Sequence, residues 1–297
     1  MNPPAGGRTP TLILAALDAL LRGFTAAAPH ALAAADPREV QAGLVTVLLR
    51  LAFLRSADDP VLAELPRTPD AWPQLLAHFE RLHARHGGRL FAPDRAPFLR
   101  LLSPPTPHIL APSATPHILP PPPTPHIHPA PPLAAALPYA ALDAALAALR
   151  RLAPGDPAPL ALLGAVHEAT LDLQLVRATG PSLALRPHHR LVDLAALLAE
   201  PPGARAARLR EHGVVLTAPA LAALHAADDL DAVLTALAGH RSPRTREPLL
   251  AGALYLQPGP ARRRSGAHYT PQSLTHRLAA AALRPTLADL GDDPTPQ

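Results

Sequence analysis

Cysteine is absent from the 297 residues, and all 27 basic residues are arginine, because lysine is absent too. Without thiols the chain forms no disulfide and no thiolate metal site. Aromatic residues make up 3% of the chain, which disfavours a sandwich of strands built on large side chains. Apolar runs such as 43–49 break well short of a membrane span, and no charged, apolar, small-residue leader is present. These absences predict a cytoplasmic protein with no membrane partner.

What is present points to helices. The 48% hydrophobic content is carried by alanine and leucine, enough for a buried core and suited to helices packed through small side chains. The 41 prolines and the replacement of lysine by arginine are read together as the codon bias of a GC-rich genome. A formal charge of +4 permits an acidic partner such as DNA without requiring one.

Apolar spacing predicts a helix over 11–26 ended by Pro29, then a second that opens with Asp36 as N-cap and Pro37 at its first position. That second helix should bury Val40, Leu44, Val47, Leu48, Leu51 and Leu54 and close at Asp58, Asp59 and Pro60. A third should run from Trp72 to His86 and end in the left-handed turn that Gly87 and Gly88 allow. Residues 1–102 are taken as one helical unit. Across 103–138 the chain is Pro-rich and repeats Thr-Pro-His-Ile three times, which predicts a disordered, polyproline-like insert. Repeat expansion accounts for its histidines better than metal binding.

Helices resume over 139–152 and 159–170. Alternation at Leu171, Leu173 and Leu175, then Gly180-Pro181, then Leu183 and Leu185, reads as a β-hairpin. Further helices are expected over 191–198, 204–212, 219–227 and 229–238, which makes 139–260 a second helical unit. His83 and His86 share a helix face with no third ligand in reach, His188 and His189 follow Pro187 in a turn, and the pairs Asp58-Asp59 and Asp228-Asp229 read as helix boundaries. No metal is expected.

The last segment, 261–297, carries the functional signal. Arg262, Arg263 and Arg264 could meet DNA phosphates, although a solvated basic linker explains them as simply. They lead into Gly266-Ala267-His268-Tyr269-Thr270-Pro271 and an amphipathic run from 272 to 283, in which Thr270 can cap a helix and Pro271 can open it. A helix start presents free backbone donors able to hold an anion.

This string resembles the Gly-x-x-Tyr-Thr-Pro segment of adenine-N6 DNA methyltransferases. Three earlier segments, in the same order, resemble the amino-terminal region of the large restriction and phage-defence members. Residues 47–59, VLLRLAFLRSADD, are similar to a helix with an Arg-Leu-x-Phe core. Residues 89–99, RLFAPDRAPFL, match Leu-Phe-x-Pro-Asp-Arg-x-Pro-Phe-Leu. Residues 163–178, LGAVHEATLDLQLVRA, match a Leu-Gly-x-x-Tyr-Glu helix and strand, with His167 where tyrosine is common.

The resemblance implies that Gly266, His268, Tyr269, Thr270 and Pro271 lie beside S-adenosylmethionine, that Arg262, Arg263 and Arg264 face DNA, and that the carboxy-terminal helix abuts a Rossmann-like methyltransferase domain. No Gly-x-Gly occurs in the sequence, and Asn2-Pro3-Pro4 lacks the following aromatic that would stack on a flipped adenine. The cofactor cradle and catalytic loop of the family would lie beyond Pro285. The nuclease often fused to the family uses a lysine, which is missing here. The expectation is therefore the amino-terminal part of a site-specific methyltransferase, inactive without a separate catalytic subunit. Two alternatives remain beside it: a non-catalytic helical module that binds DNA or positions a partner, and the relic of an interrupted gene.

Overall fold

The computed structural model describes residues 8–93, 137–152, 159–245 and 247–259. Its chain is mainly helical, with two small antiparallel sheets of two strands each. Helix α1 spans Arg8–Ala27 and is followed at once by α2, Pro29–Ala34. Pro29 thus does more than stop a helix, since its fixed φ and missing N–H suit the first position of the next one. Helix α3, Pro37–Ser56, starts as its sequence demands: the Asp36 carboxylate accepts from the Arg38 N–H at 2.7 Å, and Pro37 follows. Its six expected apolar positions are fully buried. After the short α4, Val61–Glu64, helix α5, Ala71–His86, ends at Gly87 and Gly88, both with positive φ.

Helices α6, Tyr139–Leu152, and α7, Pro159–Leu171, pack on α1 and α3. Gly23 lets α1 and α6 approach, because a Cβ at that position would collide with Ala141 and Leu137. One core therefore draws on α1, α3, α5, α6 and α7, including Phe24, Leu51, Trp72, Leu142 and Val166. Helices α6 and α7 thus complete the core of the first helices. The chain enters a second core only after Ala178.

Strand β1, Leu173–Arg177, and β2, Ser182–Leu185, form where alternation predicted strands, but they do not make a hairpin with each other. β2 pairs with β3, Arg190–Asp193, around a turn that holds a cis Arg186-Pro187 bond. β1 pairs with β4, Leu254–Pro258, in the register Leu175↔Leu256. The expected helix over 191–198 is accordingly shorter, with α8 at Leu194–Ala199 after the strand. Helices α9 (Pro202–Glu211), α10 (Ala218–Ala226) and α11 (Leu230–Ala236) enclose Leu183, Leu194, Leu209, Leu224 and Val233 in the second core.

Among the described residues one helix, Thr9–Ala27, is long and apolar enough to cross a bilayer by length and composition. Its side chains at Ile13, Leu17, Leu20 and Phe24 lie in the first core. Most of the Pro-rich insert, the carboxy-terminal helix and the place of a Rossmann-like neighbour fall outside the described residues.

Candidate functional site

The seam between the two cores is polar. Asp18 on α1 receives a two-pronged grip from Arg244, whose Nε and Nη2 donate to its carboxylate at 2.9–3.2 Å. The same guanidinium lies over the Tyr255 ring, 4.7 Å from its centroid. The Tyr255 hydroxyl donates to the His189 carbonyl at 3.1 Å, and His189 Nδ1 is 2.8 Å from the Ser242 hydroxyl. Across the sheets, Leu191 N–H donates to Gln257 Oε1 at 2.9 Å, and Thr179 donates to Asp193 at 2.5 Å.

A cleft of about 220 Å³ opens beside this seam, walled by β1, β3, α8 and the last turn of α9. Its polar lining includes Arg177, Thr179, Asp193, Arg208, His212 and Gln257. Several of these are committed to the fold. Arg177 donates to the carbonyls of Leu32, Ala35 and Gly252, while Asp193 caps α8 through the Ala196 N–H. Burial alone would raise the Asp193 carboxyl, but the bonds from Thr179 and the α8 backbone outweigh it and hold the group below its usual range.

Electrostatics across the seam follow burial. Burial pushes the Asp18 carboxyl up despite Arg244 and Arg22. Burial also lowers His189, helped by Arg244, Arg186 and His188, and lowers His212, helped by Arg208 and Arg190 against Glu211. Both imidazoles thus bind protons less readily than in the unfolded chain, where their ordinary value is 6.5. Their contribution to stability is complete above that value and is lost as pH falls through it. Melting temperature should therefore drop between pH 7 and pH 5. The His189→Gln/His212→Gln double variant should flatten that slope, and an unchanged slope would refute this origin.

Sequence reasoning placed the functional residues elsewhere. Gly266, His268, Tyr269, Thr270 and Pro271, together with Arg262, Arg263 and Arg264, lie outside the described residues. The described chain before them ends with β4, which runs to Pro258, and with the Gly259 N–H donating to the Asp172 carbonyl at 2.7 Å. Asp229 caps α11 through Ala232 as a helix boundary should, whereas Asp59 both holds the Val61 N–H and pairs with His78 at 2.9 Å. Among the described residues no group of three or more His, Cys, Asp or Glu could hold a metal ion.

Three of the four segments that carried the family resemblance meet in the first core. Arg50, in the Arg-Leu-x-Phe stretch of α3, donates from Nε to the Leu90 carbonyl and from Nη2 to the Ala92 carbonyl, both at 2.8 Å. Phe91 packs edge-on against Phe53 at 5.5 Å and beside Phe79, over which Arg50 also lies. From the third segment, Leu173 and Leu175 are held by the Gln41 side chain of α3. No family model matches this chain, and no curated protein or solved structure matches it.

Proposed function

We propose that this chain is the amino-terminal helical part of a SAM-dependent, adenine-N6 DNA methyltransferase of the restriction or phage-defence kind. The cofactor cradle and catalytic loop of such an enzyme are not among these 297 residues. What supports the reading is the mutual packing of the resembling segments. Arg50 and Phe53 of 47–59 grip the backbone and ring at 90–92, and 163–178 supplies β1 on the same helix. Segments far apart in sequence thus pack in one core, which fits their belonging to a single domain of such an enzyme.

In this reading β4 delivers the chain to the Gly266–Pro271 loop, where Tyr269 and Thr270 sit beside the methionine part of S-adenosylmethionine and Arg262, Arg263 and Arg264 approach the DNA backbone. The chain's role is to present that loop and the helix after it to the methyltransferase sheet.

The purified chain alone should transfer no labelled methyl group from S-adenosylmethionine to DNA. Adding a polypeptide that carries the Gly-rich loop and an Asn-Pro-Pro-aromatic motif should produce N6-methyladenine. Tyr269→Ala and Thr270→Ala should each cut the complemented rate at least about tenfold, the cost of roughly 1.4 kcal/mol of transition-state stabilisation. Methylation by the chain alone would overturn the division of labour. Indifference of the complemented reaction to both substitutions would overturn the site.

A further inference from the structure

The second core carries a feature that the methyltransferase reading does not use. Arg208 and His212 line the cleft from the end of α9, and Gln257 of β4 lines it from the sheet. The usual explanation for cations at a helix C-terminus is compensation of its partial negative charge. That accounts for a cation at the helix end, and not for its sharing the wall of a concavity with an imidazole and a side-chain amide.

Their possible counter-charges are weak or already engaged. Glu211 meets Arg208 at 2.6 Å, but both side chains are more than half exposed, so the pair adds little and exchanges readily. Asp193, the carboxylate in the lining, keeps its charge, but its oxygens accept from Thr179 and the Ala196 N–H, and the Arg177 guanidinium lines the same cleft. Gln257 has its Oε1 committed to Leu191, which leaves its amide N–H groups as donors.

The cations are also held in place. Gly213 takes φ +77 immediately after α9, and its N–H closes onto the Arg210 carbonyl at 2.8 Å. The His188 ring presses on Gly213 where a side chain would otherwise stand. The turn of the β2–β3 hairpin thereby fixes the end of α9, and His212 with it. At about 220 Å³ the cleft is smaller than the roughly 300–1,000 Å³ of pockets that enclose whole drug-sized ligands. It suits a single small group.

We infer that this cleft binds a phosphate group, with Arg208 as the charged fork and His212 and the Gln257 amide as further donors. Three separated donors suit a tetrahedral oxyanion, and arginine matches its edge with two parallel N–H bonds. The group can come from a nucleic-acid backbone or from a free phosphorylated molecule. The inference does not depend on the methyltransferase reading, and either can fail without the other.

The test follows the imidazole resonances of the full chain by NMR during pH titration, with two probes: inorganic phosphate and a short DNA duplex. A bound anion should favour protonated His212 and raise its apparent pKa by about one unit or less, while exposed His225 serves as the internal control. Arg208→Gln alters a half-exposed side chain and should leave the melting temperature in place while weakening phosphate at least about fivefold. A response to duplex at much lower concentration than to phosphate, with a shallower salt dependence in Arg208→Gln, assigns the group to a nucleic-acid backbone. A response to inorganic phosphate alone assigns it to a small molecule. If neither probe moves His212, if both histidines shift equally, or if Arg208→Gln changes nothing, the site is not a phosphate site.

Discussion

Arg205→Ala should lower the unfolding free energy by about 4 kcal/mol, the largest single effect expected among the arginines. Arg205 is 5% exposed and sits in α9 with its guanidinium spread over four carbonyls. Nη1 donates to Leu224 at 2.9 Å and Ala227 at 2.7 Å, Nη2 to Leu198 at 2.9 Å and Nε to Glu200 at 3.1 Å. These carbonyls belong to the ends of α8 and α10, where the helix itself offers no donors. Each acceptor left buried and unpaired costs about 1–3 kcal/mol, reduced where water enters the vacated space. At roughly 2–4 °C per kcal/mol for a domain of this size, calorimetry should record a fall of about 10 °C. Arg205→Lys should recover less than half of it, because one ammonium cannot reach acceptors spread around a planar fork. A fall of under about 2 °C for alanine would show that the four bonds contribute little.

Arg50→Ala should act more locally, at about 3 kcal/mol. The side chain is 3% exposed, and burial lowers its pKa to about 10, so it remains charged at neutral pH. Its loss strands the Leu90 and Ala92 carbonyls and removes the cation from the faces of Phe79 and Phe91. Arg89 is already exposed, and release of 90–93 should free the backbone beside it for trypsin, with cleavage accelerated by about a hundredfold if local opening becomes easier by about 2.7 kcal/mol. Arg50→Met replaces volume but not hydrogen bonds, and should restore part of the global stability without restoring protease resistance. Equal resistance in wild type and both variants would show that Phe91 alone secures the segment.

The helices were legible because their signals are local. Asp36-Pro37 states where α3 begins, Gly87-Gly88 where α5 ends, and the apolar spacing from Val40 to Leu54 which face is buried. Strand partners were not legible, because alternation at Leu173 and Leu175 marks a strand without naming what lies beside it. The partner is β4, encoded far along the chain in the short run Leu254–Pro258.

The buried arginines were obscured by a composition in which every basic residue is arginine. A local signal did exist. Arg50 lies three residues from Val47 and four from Leu54, on the buried stripe of α3, and Arg205 lies four residues before Leu209 on the buried side of α9. An arginine on an apolar stripe needs acceptors, and helix ends are where spare carbonyls are found. The cleft gave no such warning, because β1, β3 and α9 meet only through tertiary structure.

Gln41 closes the account of the β1–β4 sheet. Its side-chain amide donates to the Leu173 carbonyl at 2.8 Å and accepts from the Leu175 N–H at 2.7 Å, on the side of β1 that faces away from β4. Those are the groups that a stray strand from another molecule would seek in order to extend the sheet. A single glutamine thus imitates the backbone of a neighbour, and this border of the sheet is sealed against the edge-to-edge association that leads to aggregates.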